Sequence, residues 1–410
     1  MNVRRSAAVL AATAVIGAAA PAVAASPSPS PSVVTPDGLY GSADPTYDGV
    51  WRQSVTLLAQ VEQGVDPAEK AVDWLAGQQC ANGAFPAFRA DAAKACDAKV
   101  MVDTNSTAAA VQALAATGGH QDAPGKAVAW LKSVQNKDGG WGYMPGGASD
   151  ANSTSVVIGA LTAVGEQPAK VRTGGRTPYD ALLKLALPCT GDGAGAFAYQ
   201  PDKKGKLAAN ADATAAAVLG ALGEQPTNIQ ADDDTASASC AKPGDAEQAA
   251  HNGASYLART MAKDKHLTSV LPGSENQPDY GNTADAVVAL SAADFHTEAT
   301  ASGRWLAAHA LKWAEQSGPA AYAQLVLAAQ AAGLNPRDFG GADLVALLNA
   351  TGPQPRDVPA ANESRAPEAD DKAAEKDEEG VSVWWIIGVG LVAGIGVGFL
   401  ISGRNKKRQP

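Results

Sequence analysis

The chain has 410 residues, enough for roughly two to four domains of ordinary size. Hydrophobic residues make up 46% and charged residues 18%, so most of the chain can bury a core and global disorder is excluded. A net charge of −10 argues against a nucleic-acid partner, and 5% aromatics with many Ala-rich stretches argue against an all-β fold. In chain order, Arg4 and Arg5 precede an apolar run from Ala7 to Ala20, and Ala22-Val23-Ala24 follows. That succession predicts a secretory signal peptide over 1–25. A Pro/Ser-rich leader occupies 26–43. Apolar periodicity with capping and termination signals then predicts twelve helices, at roughly 48–62, 67–79, 104–118, 123–136, 151–164, 177–187, 210–222, 245–263, 281–292, 301–316, 319–333 and 340–350. Residues 353–380 are rich in Pro, Ala, Glu, Asp and Lys and predict a disordered acidic stalk. Val381 to Ile401 is apolar throughout and long enough for one transmembrane helix. The basic tail over 402–410, with Arg404, Lys406, Lys407 and Arg408, places the C-terminus in the cytoplasm by the positive-inside rule. The expected protein is a single-pass cell-membrane protein with an extracellular ectodomain over 44–352.

Within that ectodomain the sequence repeats itself. Ala71-Val72-Asp73-Trp74-Leu75, then Gln79, Gly83 and Phe85, keep the offsets of Ala127-Val128-Ala129-Trp130-Leu131, then Gln135, Gly139 and Trp141. Phe197-Ala198-Tyr199-Gln200-Pro201 matches Trp141-Gly142-Tyr143-Met144-Pro145. Polar clusters recur after these turns: Asp103-Thr104-Asn105-Ser106-Thr107, Asp150-Ala151-Asn152-Ser153-Thr154, Asp279-Tyr280-Gly281-Asn282-Thr283 and, more loosely, Asn210-Ala211-Asp212. Each unit reads as a helix charged on one face, a Gly-aromatic turn, and a helix apolar nearly all round. Stacked units of this kind place the first helix outside and the second between layers. Alternation of six inner and six outer helices lets the first and last pair and close a ring.

Cys80, Cys96, Cys189 and Cys240 lie in the exported part, where an even count reads as two disulfides. Of the three connectivities, Cys80–Cys96 with Cys189–Cys240 is preferred, because each pair closes a loop within one local unit. A zinc site is disfavoured, since no C-x-x-C occurs and no His stands at ligand spacing. No cofactor is implied.

Gln135-Asn136-Lys137-Asp138-Gly139-Gly140-Trp141-Gly142 resembles the Q-x-x-D-G-G-W-G repeat of the terpenoid cyclase and protein prenyltransferase superfamily, the prenyltransferase/squalene oxidase repeat. The resemblance implies an all-α fold, an α/α toroid over 44–352, in a protein similar to the exported, membrane-anchored actinobacterial type. In that superfamily the repeat is structural, so function has to come from the site.

The superfamily's catalytic motifs are broken here. Ala231-Asp232-Asp233-Asp234-Thr235-Ala236 resembles the D-x-D-D-T-A acid of class II cyclases, but Ala231 replaces the first Asp and the surroundings read as a loop. The histidines, among them His309, have no partner Cys for a prenyltransferase zinc. Val164 and Leu222 stand where the thioester motif of complement-type toroids needs Cys. What remains is a mouth where the inner helices begin, built from Asp103, Asn105, Asp150, Asn152, Asn210, Asp212, Asp279 and Asn282 beside Tyr143, Tyr199 and Tyr280. Helix capping accounts for one polar residue per helix, and the second is free to bind a ligand. The arrangement resembles transcobalamin and intrinsic factor, although their covering β domain is missing. The sequence therefore points to a non-catalytic surface binding protein that captures a small molecule, such as a corrinoid, for a membrane transporter. The alternatives are a toroid enzyme of cyclase or prenyltransferase type and a structural interaction scaffold.

Overall fold

A computed structural model describes residues 35–229, 239–271 and 273–356. The signal peptide, most of the leader, the acidic stretch at 231–236, the stalk beyond 356, the transmembrane segment and the basic tail lie outside the described residues. Among the described residues no helix is long and apolar enough to cross a membrane. Those residues are mostly helical. Thirteen α-helices occur: α1 (Gly49–Glu62), α2 (Glu69–Gly77), α3 (Thr104–Thr117), α4 (Asp122–Ser133), α5 (Ala151–Ala163), α6 (Pro178–Leu183), α7 (Ala211–Leu222), α8 (Ala246–Met261), α9 (Tyr280–Ala292), α10 (His296–His309), α11 (Leu311–Ser317), α12 (Pro319–Ala331) and α13 (Leu344–Asn349). Two short antiparallel strands, β1 (Leu267–Thr268) and β2 (Pro278–Asp279), precede α9.

The repeated polar clusters start four of these helices by one mechanism. Asp103, Asp150, Asn210 and Asp279 each accept a hydrogen bond from the backbone N–H three residues on, satisfying a donor that the first turn leaves orphaned. A Thr four residues after each cap ties the helix to the turn before it. Thr107, Thr154, Thr214 and Thr283 accept through Oγ1 from the backbone N–H of Phe85, Trp141, Phe197 and Leu267, at 2.9–3.1 Å. The aromatic of the turn is thereby held in the core: Phe85, Trp141 and Phe197 are all fully buried, and Trp141 Nε1 donates to Leu131 O at 2.7 Å. Two turn glycines have positive φ, +94° at Gly83 and +95° at Gly139, and a Cβ there would lie 2.3 Å from Lys126 O and 2.1 Å from Thr177 O. The turn therefore seats backbone on backbone against the start of the next outer helix, which only glycine permits.

Six helices pack in succession: α1 on α3, α3 on α5, α5 on α7, α7 on α9, α9 on α12, and α12 back on α1. Each is buried on nearly every side. The remaining helices cover them, with α4 on α3, α8 on α7, α10 on α9 and α13 on α12. Hydrogen bonds between distant parts of the chain close the cycle. Gln60 Nε2 donates to Asn349 Oδ1 at 2.7 Å, Tyr40 O–H to Pro353 O at 2.7 Å, and Gly41 N–H to Thr351 O at 2.9 Å. The sequence predicts one helix over 301–316, whereas the structure has two, parted at Ala310. His309 Nδ1 contacts Trp305 O at 2.7 Å while its ring stacks on Trp305, and this competes for a carbonyl of the last turn of α10. Both expected disulfides are present, Cys80–Cys96 and Cys189–Cys240, with Cα–Cα distances of 5.6 and 5.5 Å.

Candidate functional site: an acidic cavity between the buried helices

The six mutually packed helices run in the same sense where cross-links fix them. Asn152 at the start of α5 bonds Asp212 at the start of α7, and Thr162 near the end of α5 bonds Gly223 just past the end of α7. Gln63 and Gln330, at the ends of α1 and α12, bond each other. The helices do not fill the space they enclose. A cavity of about 170 Å³ remains, and every one of the six contributes to its wall. Val55 and Leu58 come from α1, Ala109 from α3, Val156 from α5, Ala215 and Leu219 from α7, Val288 from α9 and Leu327 from α12. Small side chains on packed inner helices leave such a void because Ala and Gly cannot reach its centre.

Polar groups enter this apolar wall together. Asn105, Asn152, Asp212, Asp285 and Gln324 line the cavity. Asn152 Nδ2 donates to Asp212 Oδ2 at 2.8 Å, and Gln324 Nε2 donates to Asp285 Oδ1 at 3.2 Å. The first bond fixes the Asn152 amide and leaves its Oδ1 buried without a partner, as is Asn105 Oδ1. Deeper along α3, Gln112 Oε1 is buried and unpartnered as well. No Lys, Arg or His lines the cavity among the described residues. Burial raises the Asp285 carboxyl to about 7, and the Asp212 and Asp279 charges push the same way against the Gln324 hydrogen bond. Burial also raises Asp212, reinforced by the Asp279 charge and opposed by the Asn152 hydrogen bond. A carboxyl held near 7 inside an apolar chamber can give or take a proton at neutral pH.

The sequence-derived mouth residues divide by position. Asn105, Asn152 and Asp212 line the cavity. Asp103, Asp150, Asn210 and Asp279 cap their helices and are outside its wall. Burial raises Asp103 and Asp150 to about 6, with backbone N–H groups pulling in the opposite direction. Tyr143 and Tyr199 sit behind those carboxylates, their hydroxyls raised chiefly by burial and then by the charge of Asp103 and Asp150 respectively. Asn282 turns back onto its own cap, donating to Asp279 Oδ2 at 2.8 Å. Tyr280 belongs to an aromatic stack instead, with ring centroids 5.4 Å from Trp305 and 5.8 Å from Trp313. Sequence reasoning missed Asp285, Gln324, Gln112 and Trp51, which also line the cavity. One signal was available: Asp285 is the lone charged residue of α9.

No group of three or more His, Cys, Asp or Glu side chains suited to a metal ion occurs among the described residues. Fold and site together define a helical protein with an acidic, ligand-sized chamber. Similarity to known proteins is slight. No family model matches the chain. A drimenyl diphosphate synthase of Streptantibioticus cattleyicolor is 36% identical over 80 residues, 20% of this chain and 13% of that enzyme. The match thus spans a small fraction of the relative's length. A crystal structure of a protein from Actinoplanes aligns with 72% of this chain and 94% of its own, at 15% identity and a TM-score of 0.47. The sequence match supports a terpenoid-cyclase-like helical arrangement at most.

Proposed function

We propose that the closed cycle of six buried helices is the inner barrel of an α/α toroid, and that the chain is a binding protein using its interior. The exported topology belongs to the same reading: a signal peptide, a stalk beyond residue 356 and one transmembrane helix over 381–401 tether the toroid outside the cell, with a membrane transporter as the receiver of its ligand. The supporting observation is the chamber itself. All six inner helices line it, its wall is largely apolar, and polar groups enter it near the starts of α3, α5 and α7, from Asp285 and Gln324, and from Glu224 and Gln225 beyond the end of α7. That combination is the common composition of a small-molecule site. A chamber of about 170 Å³ walled by six helices suits a compact molecule. A thermal-shift screen of the full chain in detergent tests the reading, because a ligand at 100 times its dissociation constant adds about 2.7 kcal/mol. A screen of compact amines, alcohols and acids that yields no stabilising compound overturns it.

A second reading is an enzyme of terpenoid cyclase type with Asp285 as the proton donor. It draws on the carboxyl raised to about 7 inside the cavity and on the short match to drimenyl diphosphate synthase. Two features weigh against it. Trp51 is the one aromatic residue lining the chamber among those described, whereas a growing carbocation is best stabilised by several aromatic faces. The lining also lacks any cation to hold a diphosphate. Turnover of an isoprenyl diphosphate, lost in Asp285→Asn, would favour this reading over binding alone.

A further inference from the structure

We propose that the chamber takes a small primary amine as its ammonium ion, the cation seated between Asp212 and Asp285 and the apolar body lying along Val55, Leu219 and Leu327. This rests on the binding reading above and names its ligand class. The inference comes from an imbalance of hydrogen-bonding groups. Two carboxyl groups from neighbouring inner helices, Asp212 on α7 and Asp285 on α9, enter one chamber. Each has one amide donor of its own, from Asn152 and Gln324. The oxygens left over belong to the two carboxyl groups, and no Lys, Arg or His in the lining supplies them with donors. Buried carboxyl oxygens short of donors are costly, and a cation in the chamber offsets that cost.

An ammonium group has three donors and no acceptor, and its charge favours the ionised form of the two neighbouring carboxyl groups. An alcohol brings one donor and no charge to favour the ionised form of either carboxyl group. A carboxylate or phosphate adds a third anion with no Lys, Arg or His in the wall to offset it. The apolar remainder of the wall asks for a hydrocarbon body. Charge and shape therefore select a short alkylamine or arylalkylamine over its neutral and anionic analogues.

The test uses the full chain in detergent and isothermal titration with propylamine, hexylamine and 2-phenylethylamine, each beside the alcohol and the carboxylate of the same skeleton. At least one amine is expected to bind tenfold or more tightly than its alcohol, with the carboxylate weakest. Asp285→Asn, nearly unchanged in shape, should lose tenfold or more for that amine and leave the alcohol unaffected; Asp212→Asn should behave alike. Leu219→Trp, which fills the apolar part, should weaken amine and alcohol together. Equal affinity for amine and alcohol overturns the ammonium assignment while leaving the binding reading intact. Amine binding unchanged in both carboxyl variants, with circular dichroism confirming their fold, also overturns it. Absence of binding by every compound overturns the assignment and the binding reading together.

Discussion

At the scale of single residues, burial decides what each group can do. Asp285 lies beyond the first turn of α9, where no orphan N–H group and little of the helix dipole reach it. Desolvation therefore goes largely uncompensated, and the carboxyl rises to about 7 from an ordinary value of 3.8. The consequence for stability has a definite sign. Between those values the folded chain holds a proton that the unfolded chain has released, so folding is favoured at the acid end and loses ground as pH rises. Asp103 and Asp150, near 6, act in the same direction through a narrower window. The thermal midpoint should accordingly fall between pH 5 and pH 8. Asp285→Asn should flatten that slope and raise the midpoint at pH 8, as scanning calorimetry at both values would record; an unchanged slope removes Asp285 as its source. Trp141 shows the opposite relation between burial and polarity, since its one polar atom is bonded to Leu131 O. Trp141→Ala leaves a cavity and removes one of the two hydrogen bonds to the Leu131 carbonyl, which keeps the N–H of Val134; a loss of about 3–5 kcal/mol follows from the usual cost of such truncations, measurable by urea unfolding.

At the scale of elements, the two disulfides act on different lengths of chain. Cys80–Cys96 spans 16 residues and ties the turn after α2 to the segment leading to α3. Cys189–Cys240 spans 51 residues and encloses α7, an inner helix that contributes Asp212 to the chamber. Loop-closure entropy makes the longer link the stronger one, with expected losses of about 3 and about 4 kcal/mol when each pair becomes Ser. Urea unfolding of the two double variants checks the order, and a reversed order would mean that native-state strain outweighs chain entropy. Pairing was legible because both links are local to a repeat. Helix starts were legible for a related reason: a cap lies three residues from the N–H it serves, so Asp103, Asp150, Asn210 and Asp279 declare themselves in sequence. The role of Thr107 and its three counterparts was hidden, because each bonds a turn 13 to 22 residues upstream. The chamber was the least legible part. Asn152 and Asp212 are 60 residues apart, and Asp285 meets Gln324 across 39. Periodicity describes one helix at a time, and a site shared by six helices has no local period.

At the scale of the whole described unit, closure changes what a local weakness does. In an open stack each repeat touches only its neighbours, so damage at one end frays that end and spares the rest. Here α12 packs on α1, and Gln60 bonds Asn349 across 289 positions of sequence. The α5–α7 contact lies opposite the α1–α12 contact in the cycle. If the cycle behaves as one cooperative body, a defect at the closing contact must be felt there. Gln60→Ala removes the bond to Asn349 and to Tyr40 O–H, both buried, and leaves the Asn349 oxygen without its donor. A loss of about 1–3 kcal/mol follows from an unsatisfied buried acceptor. The measurement that matters is where the loss appears. Native-state hydrogen exchange should show the slowest amides of α5 and of α12 losing protection by the same factor, because both exchange only through global opening. The partner variant Asn349→Ala should give the same uniform pattern, and the double variant should cost less than the two single losses combined, since they share one bond. Loss of protection confined to α12 and α13, with α5 unchanged, would show that the closing contact joins two ends without making them one unit.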